Sequence, residues 1–334
     1  MNTRMRTAVA GLAILAFTTA GPVGLTQAST SNSHGHHKAM QTSVKTKVFT
    51  LDPTTTAPGD NPEGVAWDPR GESFFVGTIG TGTIYRGRLH DRILHPFITP
   101  DPDAPADSAV GMKVAGGKLY VAGGPTGSIY VYRIRTRALL ARFETGTGGF
   151  LNDLVVTRKG DVYVTDSFRP MMWHLTPAMV KAGSGTPESI SVEPEIAYTA
   201  GQFNLNGIVD RRGGRELVVV SSFSQSLFRI DIDPGNVAAR TITKIDAPML
   251  GGDGLLIDRG RLLVVTGDPA QVTVLKLTRR DLRARVEKVL TDPSLRGSST
   301  IARAENRYLV VNADFATSRQ PYTVSGLPRG KGDR

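Results

Sequence analysis

The chain has 334 residues, a formal charge of +10 and no cysteine. Without thiols no disulfide can staple it, so stability must come from an apolar core, which a chain of this length can build. Its basic residues are scattered instead of forming one stripe, which argues for a solvated surface and against a nucleic-acid partner.

The first predicted element is a leader. "MNTRMR" is a basic head, "TAVAGLAILAFTTA" an apolar run, and "GPVGLTQAST" a stretch of small residues. This is the pattern of a secretory signal peptide over residues 1–28, cleaved after Ala28, with Ala20 as the alternative. The apolar run is too short for a membrane span, and no later segment is long and apolar enough to be one. A secreted, extracellular, soluble protein is therefore expected. Residues 29–43 are polar and aperiodic, hold His34, His36 and His37, and are expected to be a disordered tail. Residues 44–328 are expected to fold, and residues 329–334 to form a flexible end.

Across residues 44–328 a single pattern returns six times: an apolar strand, a turn, and a second apolar strand. The six lines are "PEGVAWDPRGESFFVGT", "AVGMKVAGGKLYVAGG", "LNDLVVTRKGDVYVTDS", "LNGIVDRRGGRELVVVSS", "GDGLLIDRGRLLVVTGD" and "SSTIARAENRYLVVNAD". Their turns fall at Gly71, Gly117, Gly160, Gly214, Gly260 and Asn306, residue types that suit a hairpin needing positive φ. A third strand often follows, as in "TGSIYVYRI" and "AQVTVLKL". Repeats of about 45 residues with four short strands are the signature of propeller blades. The expected fold is all-β, a six-bladed β-propeller with four-stranded blades. "TPAMVKAGSGTPES", inside the longest step between turns, reads as a short helix or an inserted loop. The last line offers only three strands, while "KTKVFTL" at residues 45–51 is a strand without a blade. That N-terminal strand is expected to close the ring as the fourth strand of blade six, since an open ring leaves an exposed edge.

In a propeller the first strand of each blade lines the central channel, and the residue just before it sits at the mouth. That position holds Glu63, Asn152, Asn206 and Asp253 in blades one, three, four and five. Blade two offers Ala109 or Val110, and blade six Ser298 or Ser299. Two carboxylates and two amides, with no histidine among them, suit a hard divalent cation. Ca²⁺ fits best, Mg²⁺ or Mn²⁺ is an alternative, and a soft metal is not. The competing reading is that each residue only caps local backbone.

The segments "PEGVAWD", "NG" and "DGLLID", in this order, resemble the senescence marker protein/gluconolactonase family of six-bladed propellers, which is related to the paraoxonase-type propellers. The resemblance implies a central divalent cation held by Glu63, Asn206 and Asp253, with Asn152 contacting metal or substrate. It also implies hydrolysis of lactones or other esters. Two departures stand out. Where gluconolactonase-like members carry a substrate-gripping arginine, two residues before Asn152, this chain has Phe150, which points to a more apolar substrate. The paraoxonase-type catalytic histidine of blade two has no counterpart in "DSAVGMK".

On this reading the cation polarises the carbonyl and activates water. Asp253 is the first candidate general base and Asp153 the second, although Asp153 also reads as a strand anchor. The expected partner is a small lactone or ester, and the protein is expected to be a monomer. The alternative is a non-catalytic secreted propeller that binds a ligand or protein and uses the metal only for stability. No G-x-S-x-G elbow is present, and "GTIGTGT" precedes a strand instead of a helix. His90, His95 and His174 are expected on loops or outer strands. Trp67, Phe74, Phe75 and Tyr163 read as packing between blades. Met171, Met172 and Trp173 read as core or as the wall of an apolar pocket.

Overall fold

A strand turns successive side chains to opposite sides, and in this protein those two sides belong to different cores. The computed structural model describes residues 44–100, 108–278 and 282–330. The expected signal peptide and tail lie outside these residues, as do Arg279, Arg280 and residues 331–334. Within them are 24 strands and one short helix, and no helix is long and apolar enough to cross a membrane.

The strands form antiparallel runs of four in chain order. Unit one is Pro62–Asp68, Ser73–Thr78, Ile84–Arg88 and Ile93–Ile98. The second runs from Met112–Ala115 to Leu139–Glu144, the third from Leu151–Val156 to Glu188–Ser191, the fourth from Leu205–Asp210 to Asn236–Ile245, and the fifth from Gly252–Asp258 to Ala284–Leu290. A sixth comprises Ser298–Ala304, Arg307–Asn312, Thr323–Pro328 and the N-terminal strand Lys47–Leu51, which pairs antiparallel with Thr323–Pro328. The same N-terminal strand makes a short parallel contact with Ile93–Ile98, joining units six and one into one sheet. The closure expected from the sequence is thus the closure found.

Each core lies between two successive units. Phe74 packs with Phe49, Leu309 and Val324 of unit six, whereas its neighbour Phe75 packs with Met112, Val121 and Tyr130 of unit two. Further clusters join units two and three through Phe143 and Leu154, and three and four through Tyr163 and Phe228. Val218 with Leu262 joins four to five, and Val265 with Tyr308 joins five to six. Alternation along every strand therefore builds a closed ring of cores, which is the architecture of a propeller.

The inner strands run close together at their starts. A Cβ added at Gly64 would lie 1.9 Å from the Val110 carbonyl oxygen, and one at Gly207 would lie 2.4 Å from that of Asp253. Only glycine permits that approach. The turns differ from expectation in two places: the left-handed residues are Glu72 (φ 46°), beside Gly71, and Glu305 (φ 50°), beside Asn306. The expected helix is Pro177–Ala182, capped by the Thr176 side chain and ended by Gly183 at φ 72°.

Two further expectations change. His174 is on the third strand of unit three and fully buried, not on a loop or outer strand. Its Nε2 lies 3.1 Å from Asp161 Oδ1 and its Nδ1 2.7 Å from Glu188 Oε2, and these two carboxylates offset the cost of burying the ring. Met172 is core, but Trp173 is half-buried, with its Nε1 donating to Asp166 Oδ2 at 3.3 Å.

Candidate functional site

Alternation sends strand side chains toward one neighbouring unit or the other, so reaching the axis requires a break in that alternation. The break recurs at one place. Strand pairing shifts register between Pro62 and Val65, Leu151 and Leu154, Leu205 and Ile208, Gly252 and Leu255, and Ser298 and Ile301. Inside those intervals lie Glu63, Asn152, Asn206, Asp253 and Ser299. A bulge bends its strand and re-aims a side chain, and here it does so at the same level in five units.

Glu63 and Asp253 come within electrostatic reach of each other. Asn206 lies beside Asp253 and favours its charged form, and the Glu63 carboxyl feels the charges of Asp253, Asp153 and Lys113, contributed by units five, three and two. Glu63, Asn152 and Asn206 are buried. Asp253 keeps partial exposure as a residue, but its Oδ1 is buried. Four oxygens in this group, Glu63 Oε2, Asn152 Oδ1, Asn206 Oδ1 and Asp253 Oδ1, are buried without a hydrogen-bond partner. Burying a polar atom without a partner costs about 1–3 kcal/mol, and four such atoms at one position of the repeat need a common explanation.

The surrounding bonds leave those oxygens free. Ser167 gives its only hydroxyl proton to the Leu205 carbonyl at 2.6 Å. It can therefore only accept from Asn152, whose Nδ2 lies 3.0 Å away, so the amide nitrogen faces Ser167 and Oδ1 is left over. The Glu63 main-chain oxygen is held by Ser299 Oγ at 2.9 Å and by Thr300 Oγ1. The Asn206 carbonyl accepts from Thr165 Oγ1 at 2.6 Å.

Electrostatics sharpen the picture. Burial, followed by the charges of Asp253 and Asp153, pushes the Glu63 carboxyl well above its ordinary value, against a smaller opposing pull from Lys113. Burial and the Asp153 charge push Asp253 up to about 7, against a smaller opposing pull from Asn206. Asp153 itself has partners on both oxygens. Its Oδ1 accepts from Lys113 Nζ at 2.8 Å and from the Leu154 amide at 2.8 Å, and its Oδ2 from the Ile208 amide at 3.3 Å. It ties unit three to units two and four.

Among the described residues no group of three or more histidine and carboxylate side chains is arranged to hold a metal ion; the set here has only two carboxylates and is completed by amides. Neutral and anionic oxygens of this kind are the donors a hard cation accepts. Lys113, Ser108 and Asp166 were not singled out from the sequence. Lys113 stands in the inner strand of the unit that lacks an oxygen at the ring position, and "GMKVAGG" is a signal that could have found it. Ser108 is buried with its hydroxyl unpartnered, two residues before Val110. Phe150 is half-buried and packs against Phe168 and Phe203, with ring centroids 5.5 and 5.1 Å away.

No protein-family model matches the sequence, and no curated protein matches it. Solved structures do match in fold. A luciferin-regenerating enzyme aligns with a TM-score of 0.60 at 12% identity, covering 85% of this chain and 96% of its own. Regucalcin from Agrobacterium tumefaciens, described as a calcium-binding protein, aligns with a TM-score of 0.59 at 15% identity, over 82% of this chain and 93% of its own. A protein assigned as a gluconolactonase aligns with a TM-score of 0.58 at 15% identity, over 85% and 92%. At these identities the likeness shows a shared β-propeller fold, and function has to be argued from the site.

Proposed function

We propose that this chain is a divalent-cation-dependent hydrolase of lactones or related esters, with its site at the mouth where the inner strands begin. The observation that carries the reading is the set of four buried, unpartnered oxygens on Glu63, Asn152, Asn206 and Asp253. Ca²⁺ is the favoured ion, with Mg²⁺ or Mn²⁺ as alternatives, because all four donors are oxygens. A cation bound there supplies polarisation of a carbonyl and acidification of water. The fold shared with the protein assigned as a gluconolactonase and with regucalcin agrees with both halves of the reading.

The residues divide the work. Glu63 and Asp253 supply the negative charge that a cation needs. Asn152 presents an oxygen whose amide nitrogen is already engaged by Ser167, and Asn206 presents one that is buried without a partner. Asp253 is the general base, because it is the ring carboxylate that keeps solvent exposure and so can meet both water and substrate. Asp153 serves as an anchor, since its oxygens are already taken. Export through the leader of residues 1–28 and a monomeric state complete the proposal.

The test is a panel of small lactones and aryl esters with calcium present and after chelation. Turnover that disappears with chelator and returns with calcium is expected, and Asp253→Asn should remove at least about a hundredfold of it. Calcium-dependent stabilisation without turnover of any ester would favour the non-catalytic binding propeller.

A further inference from the structure

Both the inner strands and the second strands place one end at the mouth, so the loops there gather residues far apart in sequence. Three such loops bring Phe150, Phe168 and Phe203 together. Phe150 stands two residues before Asn152, and Phe203 three before Asn206. Phe168 follows Ser167, the residue that accepts the Asn152 amide. Their ring centroids are 5.0–5.5 Å apart in tilted and edge-on arrangements. Phe168 remains 40% exposed and Phe203 37%.

Phenyl rings left in water forgo the stabilisation that burial provides, so a loose cluster would be expected to turn inward. This one is braced outward. Asp166, fully buried, accepts at Oδ1 from the amides of Phe150 at 2.9 Å, Phe168 at 3.1 Å and Arg169 at 3.1 Å. Its Oδ2 accepts from Arg169 Nε at 2.7 Å and from Trp173 Nε1. The Ser167 amide donates to the Phe150 carbonyl at 2.8 Å, and the Phe223 amide to that of Phe203 at 3.1 Å. Asn204, also buried, bridges Ser167, Thr199 and Gln202 with its side chain, which fixes the loop carrying Phe203.

We infer that the Phe150–Phe168–Phe203 wall is the substrate-recognition surface of the mouth, and that it selects lactones or esters bearing a phenyl or branched alkyl group beside the carbonyl. The inference rests on the hydrolase reading for the identity of the reacting group, though not for the existence of the wall. The occupant follows from position and chemistry. The wall adjoins the orphaned oxygens through Ser167, so what packs on it shares the mouth with whatever those oxygens hold. Its rings carry no donor or acceptor, and Arg169, which follows Phe168, is already bound to Asp166 and to the Thr145 carbonyl at 2.7 Å. A polyhydroxylated ring set against it would lose water without replacement. An aromatic group would gain buried area on rings whose ordering Asp166 has already supplied.

The test uses the mature protein with calcium and two probes that a hydrolase does not open readily, α-phenyl-γ-butyrolactam and unsubstituted γ-butyrolactam, titrated by calorimetry. The phenyl compound is expected to bind about tenfold more tightly or better. Phe203→Ala and Phe168→Ala are each expected to erase most of that preference while keeping the calcium-induced rise in Tm, which reports that the ring and fold are intact. Parallel kinetics on the corresponding lactones separate the two ideas. A phenyl preference in binding without lactone turnover keeps the wall and sinks the hydrolase. Turnover with equal affinity for both lactams, or with unchanged preference in the Phe203→Ala variant, keeps the hydrolase and overturns the wall.

Discussion

One strand, Gly252–Asp258, carries two aspartates with opposite fates. Asp253 at its start has an oxygen with no partner and a carboxyl pushed up to about 7 by burial and by the Asp153 charge. Asp258 at its end is also buried, and burial alone would push it up. Arg329, Tyr308 and Arg303 together outweigh that and hold it below its ordinary value. Its Oδ2 accepts from Arg329 Nε at 2.6 Å and from Tyr308 Oη at 2.8 Å, and its Oδ1 from Arg329 Nη2 at 3.1 Å. The far end of the propeller uses its buried charge for stability, and the mouth leaves its charge uncompensated. Natural proteins accept such local disadvantage where function requires it.

Removing Asp258 probes that contrast hardest. Asp258→Ala strands Arg329 without its partner and is expected to lower unfolding stability by about 3–5 kcal/mol, read by urea denaturation; a loss below about 1 kcal/mol would mean the network is ornamental. At Asp253 the effect depends on the cation. Calcium at a hundred times its dissociation constant should stabilise the native protein by about 2.7 kcal/mol. Asp253→Ala should abolish that gain, yet match or slightly exceed the parent when both are chelated, because a buried carboxylate oxygen without a partner has gone. A chelated variant much less stable than its parent would show that the two aspartates do the same job after all. The smallest effect is in pH. A carboxyl depressed in the fold contributes stability that is present above its unfolded value of about 3.9 and lost as pH falls through the folded value. The Tm gap between parent and Asp258→Asn should therefore hold at neutral pH and narrow only below about pH 4. A gap undiminished at about pH 2 would remove charge from the explanation.

The mouth was only partly legible in the sequence. Glu63, Asn152, Asn206 and Asp253 could be singled out because they recur at one register of a repeat. Their freedom from partners could not, since it depends on Ser167 having given its proton to Leu205. Asp166 ends the strand Val162–Asp166, and Phe203 stands in the loop before Leu205–Asp210. Nothing local marks either as belonging with Phe150.

The repeat, the alternating strands and the lone strand at the N-terminus follow from the amino-acid order alone, because they rest on local chemistry: period-two apolarity, turn residues and their spacing. Which buried polar atoms find partners is settled only in the folded ring. Thr300 holds the Glu63 carbonyl across 237 residues of chain, and the Ile208 amide reaches Asp153 across 55. Such contacts exist only after the ring has closed. Satisfaction of a buried group is a property of its neighbours in space, and along the chain those neighbours are strangers.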